Sequence, residues 1–177
     1  MGRAILISGR PGIGKTTVFN KVLNHLAGRM VVHGFISREI RKGGERIGFE
    51  LEDLLTGQKG WLARSDLSSG PKVGKYRVVL SDLERIGVAA LETALASPSV
   101  ELVAVDELAP MEFSSPKFKT VFEKTARSGM RLLCTVQLRM LDEIRSLVEK
   151  SAPVKVFLVN LGNRDTIDRI ILEEFNE

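Results

Sequence analysis

The run Gly9-Arg10-Pro11-Gly12-Ile13-Gly14-Lys15-Thr16 satisfies the spacing G-x-x-x-x-G-K-[ST] at every specified position. Glycines in such a turn let successive backbone N–H groups converge on a chain of phosphates, because no Cβ intervenes. Lys15 is then placed to reach the β- and γ-phosphates, and the Thr16 hydroxyl is placed to ligate Mg2+. The expected nucleotide contacts are therefore Gly9, Arg10, Pro11, Gly12, Ile13, Gly14, Lys15, Thr16 and the following Thr17, with Lys15 also taking part in catalysis. A random chain of this length shows the pattern with odds of roughly one in a hundred or less.

A second landmark lies far downstream, where the apolar run Val100 to Val105 ends in Asp106-Glu107. A strand ending in an acidic pair is a weak signal alone. Joined to a phosphate loop in a βα chain it becomes the Walker B pattern, in which Asp106 holds Mg2+ together with Thr16 and Glu107 orients and deprotonates a water. Two further places could add to such a site. The strand Arg131–Gln137 ends on the same edge, so Thr135 or Gln137 could sense a γ-phosphate, although a polar residue at a strand end serves equally well as a cap. The polar turn Asn160–Asp165 follows the last strand; Asn163 and Arg164 are candidate contacts to base or ribose, while Asp165 reads equally as a helix N-cap.

These groups need elements to position them. Ala4–Ser8 is an apolar run of strand length, and Val18, Val22 and Leu26 fall at helical spacing after the loop, with Gly28 expected to end the helix in the left-handed conformation. Residues 30–63 predict an antiparallel meander: a β-branched strand to Arg41, the turn Lys42–Glu45, an alternating return strand Arg46–Glu52, and a second turn before Trp61-Leu62-Ala63. Trp61 is expected to pack on its sheet. Residues 64–75 read as loop and Arg77–Leu80 as a strand. A helix is expected from an N-cap at Ser81 to about Leu95, and others over 116–127, 138–150 and 165–175, with a last strand over 154–159. The helix over 138–150 carries Arg139 and Arg145, the basic candidates for a lid; six residues apart, they do not share a face. The expected fold is three-layer α/β, a mainly parallel sheet with helices on both faces and an antiparallel extension. All of it fits one domain over 1–177, with 30–63 as an antiparallel insertion.

Composition sets bounds. The chain has 177 residues, 44% hydrophobic and 27% charged, which suits a globular protein with a substantial core. No apolar run reaches the roughly 20 residues of a membrane span and no signal region opens the chain, so a cytoplasmic protein without a membrane partner is expected. The net charge of +4 and pI near 9.4 suit a polyanionic ligand and permit weak nucleic-acid binding. Cys134 is the only cysteine, which rules out an internal disulfide and a cysteine-rich metal site, and His25 and His33 lack metal-ligand spacing. A monomer is expected.

The residues resemble a known family, the small P-loop nucleoside-triphosphatases described from thermophiles, which include the cancer-related nucleoside-triphosphatase. The resemblance spans nearly the whole chain. It rests on Gly9 to Thr17, on Gly34-Phe35, Glu39-Ile40-Arg41 and Arg46-Ile47-Gly48-Phe49, on Val73-Gly74-Lys75-Tyr76, on Asp106-Glu107 with Met111-Glu112, and on Asn163-Arg164-Asp165. It implies the P-loop NTPase fold and Mg2+-dependent hydrolysis of ATP, GTP and other nucleoside triphosphates to diphosphate and phosphate. One departure is visible: the family pattern has Ile-Gly after Asp-Glu, whereas Leu108-Ala109-Pro110 stands here. Proline and the lost glycine stiffen that turn, which bears on Met111 and Glu112 more than on the carboxylates. Two other function classes compete with hydrolysis. A nucleotide or small-molecule kinase would need a sheltered acceptor, and a nucleotide-dependent switch would bind a partner or nucleic acid with slow turnover.

Overall fold

A computed structural model describes residues 3–175. One nine-stranded sheet runs through the molecule in the order β5-β6-β4-β3-β2-β7-β8-β1-β9. Its parallel half comprises β2 (Val32–Lys42), β7 (Leu102–Leu108), β8 (Arg131–Gln137), β1 (Ala4–Gly9) and β9 (Val154–Val159). The antiparallel half continues from β2 through β3 (Glu45–Asp53), β4 (Lys59–Arg64), β6 (Tyr76–Val78) and β5 (Lys72–Val73).

β1 shows why the sheet sits in the middle of three layers. Its alternate residues point to opposite faces, and both sets are apolar. Ile5 and Ile7 pack with Val18, Phe19, Val22, Leu23 and Leu26 of α1 (Lys15–Ala27) and with Ile167 and Ile171 of α6 (Ile167–Glu173). Ala4 and Leu6 join the other core, under α4 (Pro116–Arg127), α5 (Leu141–Glu149) and the helix opening at α2 (Leu80–Asp82), which runs through a π-helical segment Leu83–Val88 into α3 (Ala89–Ala96). Phe35, Phe113, Phe118 and Phe122 form edge-to-face pairs in that second core. A fully buried Phe or Ile contributes about 1.5–3 kcal/mol. The sheet is thus covered on both faces, as a parallel sheet requires.

Local signals explain most boundaries. Pro116 occupies the first turn of α4, where its missing N–H costs nothing, and the Ser115 hydroxyl caps it by accepting from the Phe118 N–H at 3.1 Å. Gly34 is needed for contact: a Cβ there would lie 1.9 Å from the Ala104 carbonyl oxygen across the β2–β7 ladder.

Several sequence expectations are corrected. Gly28 ends α1 in the right-handed region (φ −81°), and the chain turns through Arg29 and Met30 N–H groups donating to the Leu26 carbonyl. The helix after β6 starts at Leu80 rather than being capped by Ser81, and the Asp82 carboxylate accepts from the Trp61 N–H at 2.7 Å. The expected strand 77–80 is shorter and earlier, Tyr76–Val78. Part of the expected 64–75 loop is β5, which turns back on β6 with Val73 opposite Tyr76. The last helix begins at Ile167, so Thr166, and not Asp165, holds its N-cap position. The stretch 30–63 also joins the parallel core directly: Val32 to Ile36 pair with Leu102 to Asp106, while β2 from Phe35 onward pairs with β3 in the meander.

Candidate nucleotide site

The loop from Gly9 to Thr16 joins the carboxyl end of β1 to the first turn of α1. Gly12 (φ 73°) and Gly14 (φ 109°) take backbone conformations that side chains disfavour. Gly14 provides no side-chain cap, and the first turn of α1 carries no acidic residue. Its N–H groups and the positive end of the helix dipole therefore stay available to an anion.

Lys15 is 9% exposed. Its Nζ donates to the Gly9 and Arg10 carbonyls at 3.3 and 3.4 Å and lies 3.6 Å from Glu107 Oε1. The ammonium thus links the loop above β1 to the acidic pair above β7, across the end of the intervening β8. Pro11, Gly12, Gly14, Lys15 and Thr16 line the resulting cleft, Gly9, Arg10 and Ile13 complete the loop behind it, and Thr17 follows in the first turn of α1.

Asp106 is 1% exposed. The Thr135 hydroxyl donates to its Oδ1 in a short hydrogen bond, and the Thr16 hydroxyl donates to the same oxygen at 3.3 Å. Burial pushes its carboxyl up to about 6, and the Glu107 charge adds to this, while the two hydroxyls and Lys15 oppose it. Sequence left Thr135 open as a phosphate sensor. The structure places it, fully buried, as the group that orients Asp106.

Thr16 and Asp106 present two hard oxygen donors on one spot, the donor set that suits Mg2+, which takes one or two protein oxygens and fills the rest of its shell with phosphate and water. A cation there would also offset the burial that raises the Asp106 carboxyl.

The stiffened turn after β7 is held from inside. Glu112 is 1% exposed and accepts from the Ala109 N–H at 3.2 Å; burial, reinforced by the Glu107 and Asp106 charges, raises its carboxyl well above the ordinary range. Met111, its neighbour, lines the cleft.

The cleft has a volume of about 790 Å3. Gln137 stands beside Gly9 in the β1–β8 register and accepts from Arg139 Nε at 2.6 Å, and both residues line the cleft. Arg145 does not join them, being paired with Glu149 at 2.6 Å. Asn163 and Arg164 are not among the residues lining the cleft. The Asn163 amide is used in its own turn, accepting from the Asn160 N–H at 2.8 Å and donating to the Leu158 carbonyl at 2.9 Å, while Arg164 is exposed. Trp61 lies under Arg64, 4.9 Å from the guanidinium carbon to the ring centroid, and is not a lining residue either.

Sequence reasoning missed the far wall. Ser37, Arg38 and Glu39 of β2, Arg46 and Phe49 of β3, and Val73, Gly74 and Tyr76 all face the loop. The supply of cations is therefore not limited to Arg139. The available signal was that Arg46 to Phe49 and Val73 to Tyr76 carried the family resemblance with no structural role to explain them.

The comparisons agree with this geometry. A family profile described as NTPase matches residues 4–172. The chain is 41% identical over 165 residues to the nucleoside-triphosphatase THEP1 of Thermofilum pendens, covering 92% of this chain and 89% of that protein. It is 43% identical over 170 residues to the protein of that name from Thermotoga petrophila, covering 95% and 90%. Among solved structures, THEP1 from Aquifex aeolicus superposes with a TM-score of 0.82 at 24% identity, covering 98% of this chain and 99% of that one, a likeness of fold. A human cancer-related nucleoside triphosphatase superposes with a TM-score of 0.80 at 33% identity, covering 98% and 97%.

A phosphate loop on a parallel sheet, with the acidic pair on the next strand but one, defines a P-loop NTPase. Within that class the chain belongs to the THEP1 family of nucleoside-triphosphatases, and it is an enzyme of that kind. Among the described residues, no helix is long and apolar enough to cross a membrane.

Proposed function

We propose that the protein hydrolyses nucleoside 5'-triphosphates to diphosphate and phosphate in a Mg2+-dependent reaction with broad base tolerance. The observation that carries the reading is the 3.6 Å approach of Glu107 to Lys15. It puts a carboxylate beside the ammonium that would receive the terminal phosphate.

Each residue then has a task. The loop N–H groups and Lys15 bind the phosphates and stabilise the charge that develops on them. Thr16 and Asp106 would hold Mg2+, which would supply charge neutralisation on the β- and γ-oxygens. Thr135 fixes the Asp106 carboxylate. Glu107, 30% exposed and open to the cleft, takes a proton from the attacking water, and Gln137 is placed to orient that water or the γ-phosphate. All these groups act on the triphosphate. The turn after β9 offers the base little, because Asn163 is already engaged and only Arg164 is free to reach it. Weak base selectivity follows from this arrangement.

Phosphate release from ATP, GTP and CTP, each with Mg2+ and with EDTA, tests the proposal. Release from all three, blocked by EDTA, is expected, with mutual competition within about tenfold, or roughly 1.4 kcal/mol. No release until an acceptor is added, or a thousandfold preference for one base, would contradict it.

A further inference from the structure

The triphosphate does not account for the whole cleft. This inference rests on the reading above, that the terminal phosphate lies at Lys15. Strand order puts β7 two strands from β1 and β2 three, roughly 10 and 14 Å away at ordinary strand spacing. Lys15 leans from the loop toward Glu107 on β7, so the terminal phosphate lies on the β7 side and the nucleoside leaves toward β9, whose Val159 carbonyl abuts Gly9. The far wall is on the opposite side, facing the end of the phosphate chain. It stands high because β2 does not stop where its pairing with β7 ends, at Ile36 opposite Asp106. It continues from Ser37 to Lys42, roughly 20 Å of strand.

That wall has an organised chemical character. The Arg46 guanidinium lies 5.3 Å from the Phe49 ring centroid and 5.6 Å from that of Tyr76, and the two rings meet edge to face at 5.2 Å. Nε of Arg46 donates to the Tyr76 hydroxyl at 2.7 Å and Nη1 to Glu39 at 2.9 Å, whereas Nη2 has no protein partner among the described residues. Phe49 is only half-buried and lines the cleft. The cleft as a whole is lined by Lys15, Arg38, Arg46 and Arg139 against Glu39 and Glu107, an excess of cations beyond the one that serves the phosphate loop. A free guanidinium edge beside an aromatic face suits a ligand with a phosphate and a planar ring.

We propose that the outer half of the cleft, between Glu107 and the wall of Arg46, Phe49 and Tyr76, is a separate subsite that binds a planar organic phosphomonoester, the size of a nucleoside monophosphate, together with the triphosphate. Its phosphate pairs with Arg46, and its ring stacks on Phe49.

Calorimetry on the full chain tests this. Affinity for a non-hydrolysable ATP analogue with Mg2+ is measured first, and the saturated complex is then titrated with AMP, GMP, CMP, UMP and ribose 5-phosphate separately. At least one monophosphate is expected to bind with one site per chain, and ribose 5-phosphate, which lacks the ring, at least about tenfold more weakly. Arg46→Ala, Arg46→Lys and Phe49→Ala should each weaken the monophosphate by about tenfold or more while leaving the analogue within about twofold. Both positions lie on the cleft surface, and retained binding of the analogue shows that each variant is folded. Saturable binding absent through the millimolar range, displacement of the analogue by the monophosphate, or affinity untouched by the three variants would each overturn the subsite and leave the hydrolase reading standing. Failure of the analogue itself to bind would overturn both.

Discussion

One side of the cleft is built on a single short run, Gly9 to Thr16, which presents mostly backbone, with the Asp106-Glu107 pair beside it; the other presents side chains from β2, β3, β5 and β6, among which Arg46 and Tyr76 meet across 30 positions of sequence. The first side is fixed by local chemistry, since glycine turns and a helix N-terminus suffice to make it. The second depends on register. β2 and β3 shift register between Ile40 and Arg41, and β3 and β4 between Phe49 and Glu50, so the side chains reaching the cleft are selected by bulges as much as by alternation. Energetics separate the sides further. Asp106 and Glu112 are buried at a cost that the Thr16 and Thr135 hydroxyls, Lys15 and the Ala109 N–H offset only in part. The Arg46–Glu39 pair of the wall is exposed, and such a pair contributes about 0–1 kcal/mol, so it can exchange partners for a ligand with little loss. The contrast is between a rigid, prepaid phosphate site and an adaptable wall.

Lys15→Ala should break the phosphate side with the largest effect. It removes the one side-chain charge on the terminal phosphates, and calorimetry should show triphosphate affinity about a hundredfold weaker or worse. Unchanged affinity would contradict the assignment of the loop.

Asp106→Asn measures the cost of the buried carboxyl. The Asp106 pKa is raised from 3.8 to about 6, so without metal its contribution to stability is complete below the lower value and is lost as pH rises through the upper one. Between about pH 4 and pH 8 this amounts to roughly 3 kcal/mol. In EDTA, urea unfolding across that range should show stability falling with pH more steeply in the parent than in Asp106→Asn, and the variant should lose Mg2+-dependent turnover. Parallel pH profiles would show that burial does not tax Asp106.

Glu112→Gln should have the smallest effect. Burial raises its carboxyl well above the ordinary range, so a neutral amide should replace it, with unfolding free energy changed by no more than about 1 kcal/mol and turnover by about twofold. Loss of activity would mean that an ionised Glu112 is required.

The sequence made the local half of this account legible. Gly9 to Thr16 specify their own conformation, and the apolar run ending at Asp106-Glu107 identified the acidic pair before any strand order was known. Sequence could not show that β8 lies between those two strands, which turns Thr135 into the support of Asp106 and brings Gln137 alongside Gly9. Nor could it show Arg46 meeting Tyr76, because that contact depends on the β4–β6 pairing and on the β5 turn inside a stretch read as loop. Asn163 shows a second use for such a residue. A polar turn at the right end of the sheet suggested ligand contacts, but its amide closes the turn itself.

The central claim is that Glu107 serves a water attacking the terminal phosphate, and Glu107→Gln tests it most directly. Steady-state phosphate release from Mg2+-ATP, paired with ATP affinity in the same two proteins, should show turnover about a hundredfold lower or less, with affinity within a few-fold, the scale of a lost general base. Turnover left intact by Glu107→Gln would contradict the mechanism.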